Sequence, residues 1–347
     1  MSDSFLTAAI RPRRLAALAS VLAAAMLLTL PAQAASAGAA PPSPQVLDVD
    51  GFWLSVANLN RSLAFYRDVL GLALQSSGPP AAQGMFRGLT AMPELRVRSA
   101  TLQDGTGPSL RLLEFTAVRH RTLHPHSVDP GAALLEVRVA NLGVVLAAAV
   151  RAHVPIVTAG GAPVSLPDGT RSVVLQDPDG FFVALLQSPP TADAAANRAA
   201  GALRMRFTVA APATMVRFYR QTLGITLRAG QFGSPGPWTQ LLDEPSAQWA
   251  VTQAVANPAL IDAQDLQDVQ FVAFRHVVRH TYSGRPQDAG TAALSLRVHS
   301  LGDALRAIRS AGLRILSAGG QPVPLPGGGA AVLFRDPAGV LVELIQR

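Results

Sequence analysis

The side chains of this chain that could hold a metal ion or move a proton are unevenly spread. Five of the seven histidines fall in two short stretches. His120, His124 and His126 lie in Arg119-His-Arg-Thr-Leu-His-Pro-His126, and His276 and His280 occupy the matching stretch of the second half. Imidazole is the commonest metal-binding side chain, so two or three of these could hold an ion on a loop. The simpler reading is a solvated polar loop. His153, at a helix end, and His299, in a strand-to-helix turn, are given no role. There is no cysteine, which excludes disulfides, thiol nucleophiles and thiolate metal sites. No catalytic residue can be assigned on this pattern.

The chain has 347 residues, a length that suggests two domains, each able to bury its own core. At 49% hydrophobic and 15% charged it has the composition of a globular protein. All 29 basic residues are arginine, and the net charge is +7. The arginines are scattered and aromatic residues make up only 5%, so no nucleic-acid partner is expected. The first residues read as an export signal. Arg11, Arg13 and Arg14 precede an apolar run from Leu15 to Leu30, then Pro31 and Ala32-Gln33-Ala34. The run is shorter than the roughly 20 residues of a full span. Residues 1–34 are therefore expected to be cleaved, leaving a periplasmic or secreted protein with no membrane association. The pattern leaves open which export route is used. Residues 35–46 read as a flexible tether.

The remainder repeats itself. Phe65-Tyr66-Arg67 and Leu70-Gly71 recur as Phe218-Tyr219-Arg220 and Leu223-Gly224, with Tyr219 153 positions after Tyr66. Asp177-Pro178 and Gly180 recur as Asp336-Pro337 and Gly339, 159 positions on. The copies are 47–187 and 203–347, joined by an Ala-rich linker at 188–202. Within the first copy, Phe52, Leu54 and Val56 alternate with Gly51, Trp53 and Ser55, a strand. Asn58 can cap a helix to Leu70, and Gly71 can close it. Strands follow at 95–103 and 109–117. The order then recurs: a strand at 134–139, a helix capped by Asn141, and strands near 172–176 and 181–187 joined by the tight turn Asp177-Pro-Asp-Gly180.

The segment Ser55-Val-Ala-Asn-Leu-Asn-Arg-Ser-Leu-Ala-Phe-Tyr-Arg-Asp-Val-Leu-Gly71 resembles the opening signature of the vicinal oxygen chelate superfamily, which includes glyoxalases, bleomycin-resistance proteins and extradiol dioxygenases. Asp177-Pro-Asp-Gly180 and Asp336-Pro-Ala-Gly-Val-Leu-Val-Glu-Leu-Ile-Gln346 resemble its closing signature. The resemblance implies an α+β fold of two tandem glyoxalase-like domains, each of paired βαβββ modules forming a concave sheet. The copies would pack as an internal pseudo-dimer in a monomeric chain. The family spans lyases, isomerases, dioxygenases and non-enzymatic binding proteins, so the fold does not decide the reaction.

In the family's enzymes a divalent ion sits in the concave sheet on four strand positions. The resemblance puts these on Gly51, Glu114, Leu134 and Ala184 in the first copy, and on Arg204, Ala273, Ala293 and Glu343 in the second. Each copy then keeps one carboxylate and no histidine, which is too few ligands for a transition metal. Strand alternation would set Trp53, Glu114, Glu136 and Arg138 in the first cavity and Arg204, Arg206, Arg275, Arg297 and Glu343 in the second. The second would gather four arginines around one glutamate, as internal ion pairs or as a receptor for a carboxylate, phosphate or phosphonate. Arg204 and Glu343 are expected to pair where a metal would sit. The leading expectation is an exported protein that binds a small anionic or aromatic molecule with no cofactor. One alternative is a lyase, isomerase or dioxygenase with an atypical divalent-metal site. The other is a structural or interaction module with filled cavities.

Overall fold

The computed structural model describes residues 46–78, 82–103, 107–189, 202–255 and 265–347. The signal-like segment, nearly all of the tether and most of the linker lie outside these. The described chain forms four modules of one pattern. The first is β1 (Val46–Val56), α1 (Leu59–Leu63, continued by a π-helical stretch Ala64–Val69), β2 (Leu74–Ser77), α2 (Ala82–Thr90), β3 (Arg96–Leu102) and β4 (Ser109–Thr116). The second is β5 (Ala133–Arg138), α3 (Leu142–Arg151), β6 (Val164–Ser165), β7 (Arg171–Gln176) and β8 (Phe182–Gln187). The third is β9 (Leu203–Thr208), α4 (Pro212–Thr222), β10 (Leu227–Ala229), α5 (Pro237–Leu241), β11 (Gln248–Ala254) and β12 (Val269–Arg275). The fourth is β13 (Ala292–Val298), α6 (Leu301–Ser310), β14 (Val323–Pro324), β15 (Ala330–Arg335) and β16 (Leu341–Gln346). Asn58, Asn141 and Ser300 cap α1, α3 and α6, each accepting a backbone N–H with its side-chain oxygen. No helix among the described residues is long and apolar enough to cross a membrane.

The fold class is the one the resemblance implies, but the modules pair in an order the repeat does not disclose. One eight-stranded sheet runs β14-β15-β16-β13-β1-β4-β3-β2 and the other β10-β11-β12-β9-β5-β8-β7-β6. The first module thus shares a sheet with the fourth, and the second with the third. Antiparallel pairing of β1 with β13 and of β9 with β5 makes the two junctions. The chain changes sheets through residues 117–132 and again through 276–291. These two crossovers bind each other: Leu123 donates to Ala289 O at 3.0 Å, Ala289 to Arg121 O at 2.8 Å and Tyr282 to Pro130 O at 2.8 Å. The approach is close enough to demand glycine. Gly131 has φ +97, and a Cβ there would lie 2.0 Å from Tyr282 O.

The two sequence signatures meet across this exchange. Tyr66 of α1 donates to Asp177 Oδ2 at 2.9 Å, and Tyr219 of α4 to Asp336 Oδ2 at 3.2 Å, all four residues buried. Each copy's opening helix is therefore clipped to that copy's closing turn, although the two belong to different sheets. Asp177 Oδ1 also accepts from the backbone of Asp179 and Phe181, and Asp336 Oδ1 from Ala338 and Val340. Burial outweighs these bonds and pushes both carboxyls up to about 7.

One continuous core lies between the convex sheet faces and the helices, and includes Phe52, Leu54, Leu135, Val137, Leu294 and Leu296. The concave faces are treated differently. That of the first sheet is filled: Met85, Phe86 and Leu89 of α2 pack on Trp53, Leu113, Phe115 and Leu333. That of the second is covered by the shorter α5, through Trp238 and Leu241.

Candidate functional site

Strand register identifies the four positions that correspond across modules. Trp53 lies beside Arg111, Arg206 beside Gln270, Glu136 beside Ala184, and Ser295 beside Glu343. The fourth-strand positions are therefore Arg111 and Gln270, not Glu114 and Ala273. The expected placement was three residues late, and an odd slip on a strand reverses the face. Glu114 consequently faces the helices. Its Oε2 accepts from Leu59 N at 3.2 Å and pairs with Arg98 at 2.9 Å. Arg275 is likewise outside the concavity, exposed, with its guanidinium 3.7 Å above the Phe232 ring.

The module exchange redistributes the remaining candidates. The expected Arg204–Glu343 pair does not form, because Arg204 is on β9 of the second sheet and Glu343 on β16 of the first. In the first sheet the concavity holds Gly51, Trp53, Arg111, Ala293, Ser295 and Glu343. Glu343 is fully buried and ion-paired with Arg111. Ser295 Oγ donates to Glu343 Oε2 at 2.6 Å and accepts from Arg111 at 3.0 Å. Glu343 Oε1 has no hydrogen-bond partner. Arg297 pairs with Asp48 at the rim, and Trp53 stacks edge-on to Phe115 inside the filled core.

In the second sheet the corresponding places are Leu134, Glu136, Ala184, Arg204, Arg206 and Gln270. Arg206 Nη2 lies 2.6 Å from Glu136 Oε1, an ion pair outside good hydrogen-bond alignment, and Arg204 Nη1 donates to Glu136 Oε2 at 3.3 Å. Arg206 also stacks over Trp238 at 4.0 Å, with the Trp249 ring 5.8 Å away. Burial lowers the Arg206 pKa, and Glu136 opposes this. Between Trp238, Trp249, Leu134, Ala184, Phe274 and Arg206 a cavity of about 30 Å³ remains. That is room for about one water molecule. The two tryptophans that line it are both half-buried.

Neither set of positions fits a divalent metal. In the first sheet a single carboxylate is already neutralised by Arg111, and Gly51 and Ala293 offer no donor. In the second the only carboxylate, Glu136, is shared by two guanidiniums, which repel a cation. The crossover histidines His120, His124, His126, His276 and His280 are all exposed. Among the described residues, no group of three His, Cys, Asp or Glu side chains is placed to hold an ion. The cavity and its lining by Trp238, Trp249 and Leu241 were not legible from the repeat. Both α2 and α5 lie in the stretches between the recognised strands. The spacing of Met85, Phe86 and Leu89 on one helix face was the available signal for α2.

Among solved structures the chain is similar to glyoxalase I from Zea mays, with TM-score 0.60 and 18% identity over 88% of this chain and 92% of that one. It is also similar to a putative dioxygenase from Bacillus subtilis, with TM-score 0.56 and 14% identity over 88% and 86%. At such identities these likenesses show the fold alone. No curated protein matches the chain. The family model described as Glyoxalase/Bleomycin resistance protein/Dioxygenase superfamily matches residues 48–185 and again 201–344. With most of the chain covered in two tandem copies, the protein belongs to the Glyoxalase/Bleomycin resistance protein/Dioxygenase superfamily.

Proposed function

We propose that this is an exported binding protein that takes a small aromatic molecule into the concavity of its second sheet, without metal catalysis. The observation that carries the reading is the cavity at the family's ligand-bearing strand positions, walled by Trp238, Trp249 and Phe274 with Arg206 at one side. Aromatic walls and one oriented charge suit a planar ligand. The closed volume is too small for a ring. Entry requires α5, only five residues long, to swing Trp238 outward. The donor sets support binding over metal chemistry, since each candidate carboxylate is held by arginine. The filled first concavity supports the structural reading for that half, where Phe86 and Trp53 occupy the space a ligand would use. Export rests on the basic, apolar and Ala-x-Ala pattern of residues 1–34.

Calorimetric titration of the mature protein with 3-phenylpropionamide, a neutral aromatic probe, tests the reading. Saturable one-to-one binding is expected, and it should vanish in Ala184→Trp, which fills the cavity floor. Binding that survives Ala184→Trp, or no binding at all, would count against the site. Stoichiometric metal in protein purified from its own host would count against the metal-free part.

A further inference from the structure

The central strand pairs of the two sheets provide an internal comparison. In the first sheet Arg297 of β13 is opposite Asp48 of β1, and its Nε lies 2.9 and 3.0 Å from the two carboxylate oxygens. In the second sheet Arg138 of β5 holds the place of Arg297, 159 positions earlier. Its backbone N–H donates to Ala202 O at 3.1 Å, so Ala202 stands where the first sheet has Asp48. The neutralising carboxylate is missing. Arg138 Nη1 bonds instead to the uncharged hydroxyl of Ser188.

Nearby charges do not make up the difference. Glu136 is already shared by Arg204 and Arg206, so three guanidiniums face one carboxylate along this strand pair. Asp168 acts on Arg138 without forming an ion pair with it. Arg204 Nε is buried with no hydrogen-bond partner. Burial first, and Arg204 second, lower the Arg138 pKa. Crowded, half-buried guanidiniums are costly without an anion, and each offers a planar pair of donors suited to a carboxylate or phosphate.

We propose that Arg138 and Arg204, which with Ala202, Leu186 and Glu136 line a small hollow of about 10 Å³, form an oxyanion subsite for the acidic group of the ligand. This rests on the aromatic site proposed above. Arg204 is two residues from Arg206 on β9, about 7 Å along the strand. The ligand is therefore an aromatic acid with its carboxylate or phosphate on a short spacer, its ring against Trp238 and Trp249 and its charge at Arg138.

The probes are 3-phenylpropionate, its neutral amide, and inorganic phosphate alone. Each is titrated against the wild-type chain, Ala202→Asp and Arg138→Gln. Ala202→Asp restores the carboxylate that Asp48 provides in the first sheet, so it fills the subsite while leaving Arg138 in place. The acid should bind the wild type at least about tenfold more tightly than the amide, the scale of one charged hydrogen-bonded contact. That preference should disappear in both variants, with amide affinity unchanged. Phosphate should raise the melting temperature of the wild type and of neither variant. Equal binding of acid and amide, with no phosphate effect, overturns the subsite and leaves the aromatic site standing. Phosphate stabilisation lost in both variants, with neither ring compound bound, supports the subsite and removes the aromatic reading. An acid preference or phosphate effect that persists in both variants also overturns the subsite, and failure of every probe removes both proposals.

Discussion

The same substitution occurs at both candidate centres: a carboxylate that a metal could have used is held by arginine. Glu343 is fully buried and depends on Arg111 and Ser295. Arg111→Ala should destabilise the protein by about 3 kcal/mol, since it leaves a buried charge with one neutral donor. Joint replacement of Arg111 and Glu343 by leucine should recover most of that loss. Urea unfolding of the two variants checks both statements. The Asp177 and Asp336 carboxyls give a second test. Their folded pKa values, about 7, stand above the unfolded value of about 3.9. Below about pH 4 both states are protonated and this contribution is fully present. As pH rises toward 7 the unfolded chain ionises first, so the contribution is lost. Between pH 5 and 7.5 the wild type should lose on the order of 2 kcal/mol per aspartate relative to Asp177→Asn and Asp336→Asn. Equal pH profiles would contradict the assignment. The sequence displayed these aspartates only as turn residues, because their tyrosine partners lie more than 100 positions away.

At the scale of elements, the contrast is between α2 and α5. Both cover a concave face, but α2 drives Phe86 into a closed aromatic cluster, while α5 leaves Trp238 half-buried beside a small cavity. Phe86→Ala should cost about 3–5 kcal/mol. Trp238→Ala should cost less in stability, because the ring is half-buried, and more in affinity for an aromatic probe. Thermal unfolding and calorimetry on the two variants would show that crossover or its absence. Strands and capped helices were readable from alternation and from Asn58 and Asn141. The register of β4 and β12 was not, because neither is preceded by an Asp-Pro-x-Gly turn like those that mark β8 and β16. Without that marker, the sequence does not distinguish Glu114 and Arg275 from Arg111 and Gln270 as the residues of the concave face.

For the whole molecule, the repeat established two copies and the paired-module fold. It could not show which modules share a sheet, because the same signatures and lengths suit pairing within a copy or between copies. The exchange put Glu343 and Arg204 in different sheets and brought Glu136 to Arg204 and Arg206. It also carries a consequence for assembly. Copies produced as separate chains, residues 46–189 and 202–347, should associate one to one when mixed, and neither should persist alone as a folded monomer. Size-exclusion chromatography with light scattering distinguishes this from two independent monomeric domains.

On the function proposed above, the second sheet receives a ligand while the first concavity is filled. The chain has three tryptophans, Trp53 in the filled first concavity and Trp238 and Trp249 lining the small cavity of the second. Incorporation of 5-fluorotryptophan gives one fluorine resonance for each, assignable by single Trp→Phe variants. On titration with 3-phenylpropionate the Trp238 and Trp249 resonances should move together and saturate, and Trp53 should stay in place. A shift at Trp53 alone, or no shift at any of the three, would contradict the account.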